Sequence, residues 1–146
     1  MDMPVSPTAP NDAYAGPLPV PDSESTPYWD GLRDHRLMLQ RSSAGEYLFP
    51  PVTFSPGTLE RPEWVEASGK GSVFSWIVVR HPVPRDIYAD LVPYVVALVT
   101  LDEGCRMAAN IVDCAPEDVK AGMALEIVYR PVTDAITLPA FRPAGA

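Results

Sequence analysis

Cysteine, histidine and basic residues are all scarce in this 146-residue chain, which has two cysteines, two histidines, and eleven Lys plus Arg against nineteen Asp plus Glu. No base precedes Arg33, while Asp2, Asp12, Asp22 and Glu24 already lie in the first 25 residues, and the net charge is −8. An acidic body is repelled by phosphate backbones, whereas nucleic-acid binders depend on counterion release by basic patches. A nucleic-acid partner is therefore not expected. No apolar run approaches the ~18–20 residues a membrane span requires. The longest, 92–101, has strand length and contains Pro93, so no membrane partner is expected. The N-terminus lacks a basic region followed by an apolar stretch, so no secretion signal is read there and the expected compartment is the cytoplasm. Cys105 and Cys114 would form a disulfide only if the chain doubled back within nine residues. In a cytosolic protein they read as small buried hydrophobes.

What is present is apolar and proline-rich: 47% hydrophobic residues and eighteen prolines. This length buries one main core. Residues 1–25, rich in Pro, Ala, Asp and Ser with no hydrophobic period, read as an extended or disordered tail. Thr26-Pro27 starts a helix, with Thr26 as N-cap and proline in the first turn. Tyr28, Trp29, Leu32 and Arg36 follow at helical spacing, which predicts a helix over 27–36 within a segment 26–38. So short a helix must dock its aromatic face on something.

From residue 60 the pattern turns to β. Segments 64–67, 72–80, 94–101, 105–112 and 124–130 carry the β-branched and aromatic content of strands, and 136–141 reads as a terminal edge segment. The glycines of Ser68-Gly69-Lys70-Gly71 suggest a phosphate cradle, but no helix follows to supply a dipole, so a turn is the better reading. Residues 85–92 read as a loop with room for one helical turn, and 115–122 as a short cap ending at glycine. Short strands at regular spacing with one small helical element before the penultimate predict a mainly β fold, a five-stranded barrel of the OB type over 60–146.

Between helix and barrel, residues 39–59 have the layout of a small zinc ribbon without its ligands. The two corners that should each be Cys-x-x-Cys are Ser42-x-x-Gly45 and Ser55-x-x-Thr58, joined by the stiff Phe49-Pro50-Pro51 connector. Neutral hydroxyls are poor zinc ligands, so no metal and no chain-bound cofactor is expected. Zinc contributes ~10–16 kcal/mol to such folds. Burying Tyr47, Leu48, Phe49 and Phe54 at roughly 1.5–3 kcal/mol each offsets part of that, which predicts that a partner holds this segment in place.

The ordered blocks 26–32 (Thr-Pro-Tyr-Trp-Asp-Gly-Leu), 39–41, 49–51, 68–73, 93–99, 101–104 and 138–141 resemble the DUF35 family, acyl-CoA-associated proteins with a rubredoxin-like zinc ribbon before an OB domain. The resemblance implies a non-catalytic accessory subunit of a thiolase-like or lipid-transfer-protein-like enzyme: a thiolase, an acyltransferase or a steroid side-chain retro-aldolase. It implies an α2β2 assembly and a groove through which an acyl-CoA thioester reaches the partner's active site. If CoA touches this chain, the scarcity of bases leaves Arg41, Lys70, Arg80, His81 and Arg85 as candidates for its phosphates. Tyr28, Trp29, Tyr47, Phe49, Pro50, Pro51 and Phe54 are the candidate partner interface. His35 reads as a solvated helix residue, and Glu60, Glu63 and Glu66 as a solvated edge. No serine sits in a nucleophile elbow and no catalytic constellation is seen, so the chain by itself is not expected to be an enzyme. The competing reading is a stand-alone OB module that binds a small ligand or a single strand on aromatics such as Trp64, Phe74, Trp76 and Tyr94.

Overall fold

The computed structural model describes Tyr14 and residues 16–145; the expected tail lies mostly outside the described residues. The first helix, α1 (Thr26–Arg33), is preceded by a turn in which Asp22 accepts from the Ser25 amide at 2.8 Å and its hydroxyl at 2.7 Å. Ser25, not Thr26, is the N-cap, because Thr26 turns its hydroxyl back to the Asp22 carbonyl at 2.6 Å. The helix stops three residues short of the expected Arg36. His35 adopts φ 57°, and the Arg36 and His35 amides donate to the Gly31 and Leu32 carbonyls at 2.8 and 3.0 Å. This pair of bonds is a Schellman motif. His35 is thereby taken out of the helix and stacks on Tyr129, ring centroids 4.9 Å apart.

A three-stranded antiparallel sheet follows, in the order β2-β1-β3, with β1 (Met38–Arg41) between β2 (Tyr47–Leu48) and β3 (Glu63–Glu66). The strand at 63–66 therefore joins the ribbon, not the barrel, since Met38 to Arg41 pair in register with Glu66 to Glu63. The small sheet thus crosses the expected division at residue 59. The barrel itself is closed by five strands in the order β4-β5-β6-β8-β7, with β7 returning to β4. These are β4 (Lys70–Val79), β5 (Tyr94–Leu101), β6 (Arg106–Ile111), β7 (Ala124–Pro131) and β8 (Thr137–Pro143). One turn of helix, α2 (Arg85–Tyr88), links β4 to β5, and a 3-10 turn (Pro116–Asp118) precedes β7. The expected edge segment at 136–141 is no edge. Strand β8 pairs antiparallel with β7 along its whole length and parallel with β6 at Ile111 and Phe141, and Ala140 and Phe141 are fully buried. Among the described residues no helix is long and apolar enough to cross a membrane.

One core runs through all of these parts. Tyr28 and Leu32 of α1 and Leu37 and Leu39 around β1 cluster with Val73, Val95, Val99, Leu125 and Phe141 of the barrel. Gly31 makes this approach possible: a Cβ there would lie 2.4 Å from the Met38 side chain and 2.8 Å from the Arg36 carbonyl. Tyr28, expected on a partner surface, is instead 5% exposed and edge-on to Phe49, centroids 5.6 Å apart. Burial holds its phenol far above the usual tyrosine value, with Tyr129 adding to the effect.

The corners of the ribbon are closed by backbone bonds. At the first, Gly45 donates to the Ser42 carbonyl at 2.9 Å and Ser42 to the Glu46 carbonyl at 2.8 Å. At the second, Ser55 donates to the Glu60 carbonyl at 2.7 Å and Leu59 to the Ser55 carbonyl at 2.9 Å. The donor set does not fit zinc: one corner position is glycine, which has no side chain, and the rest are neutral hydroxyls. Buried Gln40 takes the structural part. Its amide accepts from the Val52 N–H at 2.7 Å and donates to the Val52 carbonyl at 2.8 Å, tying the connector to β1 as a neighbouring strand would. Thr53 donates to the Glu24 carboxylate, which fastens the same connector to the turn before α1.

Three outcomes are expected. Gln40→Leu strands both backbone groups of Val52 and lowers stability by about 1–3 kcal/mol in urea unfolding, with amide protection lost first over 49–58. A chelator leaves the melting temperature unchanged and added zinc does not raise it. Because the folded pKa of Tyr28 lies above the unfolded value of about 10, its contribution is complete below pH 10 and is lost as pH rises beyond that. Tyr28→Phe removes that part of the alkaline loss of stability in pH-dependent unfolding curves.

Candidate functional site

Strand β5 is apolar on both faces, Tyr-Val-Val-Ala-Leu-Val-Thr-Leu, although only one face can point into a barrel. Val95, Ala97, Val99 and Leu101 point inward and are at most 1% exposed. Tyr94, Val96 and Leu98 therefore point outward. Register sets them beside outward residues of both neighbours: Val79, Ile77 and Ser75 of β4, and Asn110 and Ala108 of β6. The result is an apolar sheet face on the outside of the barrel, with Ile77 62% and Leu98 41% exposed. A bulge between Val73 and Ser75 pushes Phe74 out at its margin, where the Arg106 guanidinium lies 3.7 Å above the ring. Val83, in the loop after β4, is also an exposed apolar residue. An antiparallel sheet facing water should alternate apolar and polar, and a contiguous exposed apolar face is the mark of an interaction surface.

Next to this face, two clefts meet over the small residues Ala108, Ala109 and Asn110 of β6. The cleft toward the ribbon, about 420 Å³, is walled by Trp29 and by Phe49, Pro50 and Pro51. That toward α2, about 390 Å³, is walled by Tyr88, Leu91 and Tyr94, with Tyr14 reaching in from the N-terminal segment. Tyr88 and Tyr94 stack at 5.7 Å. Both clefts share Leu138 of β8 and Arg130 of β7. Arg130 is only 5% exposed, and burial draws its pKa below the ordinary arginine value, opposed by Tyr14. A guanidinium nonetheless stays charged in proteins. Tyr14, held by a 2.8 Å bond from its hydroxyl to the Pro17 carbonyl, has its phenol pushed up chiefly by burial, with Tyr88 adding and Arg130 opposing.

The five cations expected to meet a CoA are not brought together. Lys70 begins β4 and Arg80 follows its end, so the strand, at ~3.3 Å per residue, holds them roughly 30 Å apart. Arg41 belongs to the ribbon and is engaged by Glu63 at 2.5 Å. Arg80 and His81 lie in the exposed stretch after β4, and Arg85 opens α2 at its end. The Gly-rich turn is closed from within, since the Lys70 amide donates to the Ser68 hydroxyl at 3.1 Å, and the Ser68 amide is taken by the Glu103 carboxylate of the β5–β6 hairpin at 2.9 Å, which supports the turn reading. Of the expected interface, Trp29, Phe49, Pro50 and Pro51 line the ribbon-side cleft, as does the buried Tyr28. Tyr47 is half-buried beside β1, and Phe54 is 51% exposed under Arg61. Glu63 and Glu66 are exposed but paired, with Arg41 and Arg36. Cys105 and Cys114 are free thiols, half-buried, each with its pKa raised by burial. Among the described residues no cluster of His, Cys, Asp and Glu is arranged to hold a metal.

Sequence reasoning missed Arg130, which looked like the last residue of a strand, and the outer face of β4–β6. The loss of alternation across 94–101 was the available signal for that face.

Residues 64–130 match the family model described as "ChsH2, C-terminal OB-fold domain". The chain is 37% identical over 131 residues to a protein of Thermomonospora curvata named "Probable enoyl-CoA hydratase alpha subunit", covering 88% of this chain and 40% of that protein; it thus spans about two fifths of that relative. It is 38% identical over 110 residues to a "DUF35 domain-containing scaffold protein" of Methanocaldococcus jannaschii, covering 73% of this chain and 77% of the relative. Among solved structures, a chain of the "Ltp2-ChsH2(DUF35) aldolase" superposes with a TM-score of 0.78 at 36% identity, covering 87% of this chain and 99% of that one. With its OB barrel, its helix and its ribbon in the same order as the resemblance implied, the protein belongs to the DUF35 family.

Proposed function

We propose that this chain is a non-catalytic accessory subunit of a thiolase-like or lipid-transfer-protein-like enzyme that processes acyl-CoA. The observation that carries the reading is the outward apolar face formed by Ile77, Val79, Tyr94, Val96 and Leu98. A lone barrel with one core does not need this face, and it lowers solubility. Covering it with a partner subunit removes that penalty, and at ~25 cal/mol per Å² of apolar area the burial favours association. The relatives named as a hydratase alpha subunit, a scaffold protein and an aldolase component support a role inside an assembly. A dimeric catalytic subunit with one accessory chain on each protomer gives an α2β2 complex.

In this reading the catalytic groups belong to the partner, and this chain supplies a wall. A partner seated on β4–β6 roofs the adjoining groove over Ala108–Asn110 and turns it into a passage between Trp29 and Phe49 on one side and Tyr88 and Tyr94 on the other. Apolar walls suit an acyl chain. Arg80 and His81, exposed just after β4, and Arg85, exposed at the start of α2, are the cations this reading assigns to the phosphates of a CoA.

Co-expression with thiolase-like subunits and tandem purification should recover a stoichiometric complex. Leu98→Asp places a charge on the outer face without entering the core; it should weaken association at least about a hundredfold by calorimetry while leaving barrel unfolding within about 0.5 kcal/mol of wild type. Retained association of that variant would remove the face from the interface. Arg80→Ala with Arg85→Ala should raise the apparent KM of the complex for CoA thioesters several-fold, with kcat unchanged.

A further inference from the structure

The chain has six tyrosines, and three of them, Tyr14, Tyr88 and Tyr94, come from separate parts of the fold to line the cleft of about 390 Å³ beside α2. Tyr88 ends α2, Tyr94 begins β5, and their rings stack at 5.7 Å. Tyr14 approaches from the N-terminal segment, half-buried, and its phenol pKa is raised by burial first and by Tyr88 second. Its hydroxyl donates within its own segment, to the Pro17 carbonyl at 2.8 Å, so the ring is what it offers the cleft. Gly16 permits that turn, because a Cβ there would lie 2.5 Å from the Tyr14 hydroxyl oxygen. Leu18 and Val20, which follow, stay exposed, so Tyr14 enters the cleft while its apolar neighbours do not. Leu91, Val96 and Leu138 supply aliphatic walls. Among the described residues the lining holds no Asp or Glu, and Arg130, its charged member, already has an interaction within the chain. The cleft therefore asks for no countercharge.

We propose that this cleft binds a neutral, planar aromatic ring, with Tyr14 as one of its walls. Aromatic rings attract one another in offset or edge-on contact beyond what burial of area supplies. Three phenol rings around one space therefore favour a flat aromatic ligand over a saturated ring of the same outline. A quaternary cation is the usual guest of an aromatic cage, but here it would enter a lining that has no carboxylate to balance it. A charged ligand of either sign is costly in such walls unless it is paired. The site is complete within this chain and is tested without any catalytic partner. Its failure leaves the subunit reading standing, and the converse also holds.

The experiment titrates the full chain with β-naphthol, uncharged at neutral pH, and follows the Asn110 side-chain amide and the Leu91 and Leu138 methyl signals by two-dimensional NMR. Saturable shifts confined to the cleft beside α2, with Kd below about 1 mM, are expected. Decahydronaphthol, the saturated counterpart, should bind at least about fivefold more weakly, and choline at equal concentration should not displace β-naphthol. Tyr14→Ala should weaken β-naphthol at least about fivefold, whereas Tyr14→Phe, which keeps the ring, should hold wild-type affinity. Tyr88→Leu, which keeps apolar bulk without a ring, should weaken β-naphthol and leave decahydronaphthol unchanged. Equal binding of the two naphthols, displacement by choline, or shifts that do not saturate would each overturn the proposal. So would unchanged binding in the Tyr14→Ala or Tyr88→Leu variant, or tighter binding in Tyr14→Ala, which would show Tyr14 competing for the space instead of walling it.

Discussion

Everything in this molecule depends on the burial of α1 and β1 against the barrel. Leu32, Leu37 and Leu39 are at most 1% exposed and share a cluster with the barrel's Val95, Val99 and Leu125. A ribbon built on thiolates can be held by its metal alone, but this ribbon has no thiolate, so its position must come from packing. Gln40 then converts position into order. It is buried because β1 is buried, and its amide satisfies both backbone groups of Val52. The exposed ion pairs Arg41–Glu63 and Arg36–Glu66 lie over the same sheet, but pairs so open to water contribute little. The weight rests on apolar contact and on one amide clamp, both internal to the chain.

The same arrangement places the groove. The connector held by Gln40 carries Phe49, Pro50 and Pro51, and α1 carries Trp29; together they form the wall that faces β6. Loosening the ribbon would therefore open the groove as well as lower stability. On the opposite side, the stacked Tyr88 and Tyr94 are set by the turn of α2 and the start of β5. The outward face of β4–β6 lies alongside, so a surface for a partner and a channel for an apolar ligand are neighbours on one side of the barrel.

Much of this is legible in the residues. The long strands at 94–101 and 124–130 announce themselves by β-branched density, the helix by its proline start and aromatic spacing, and the missing zinc donors by simple inspection of Ser42, Gly45, Ser55 and Thr58. Errors cluster where a residue's role depends on something distant. Glu63–Glu66 reads as barrel until β1 pairs with it. Residues 136–141 contain Pro139 and resemble an edge, yet Phe141 is pulled to 0% exposure by pairing on both sides. Tyr28 and Trp29 look equivalent on a helix and both reach the ribbon-side cleft, but only docking decides that the first is buried in the core while the second stays half-buried.

By itself the sequence determined what is local or compositional: strand and helix propensities, the ribbon corners, the lack of metal donors and the acidic balance. These follow from side-chain chemistry within a few residues of one another. Only the tertiary structure decided the site, because facing is a property of closure. Alternation along a barrel strand assigns Val95 inward and Val96 outward only once the barrel is closed and its register set. Arg130 becomes a groove residue only when β7 and β8 bring it beneath β6 and the N-terminal segment.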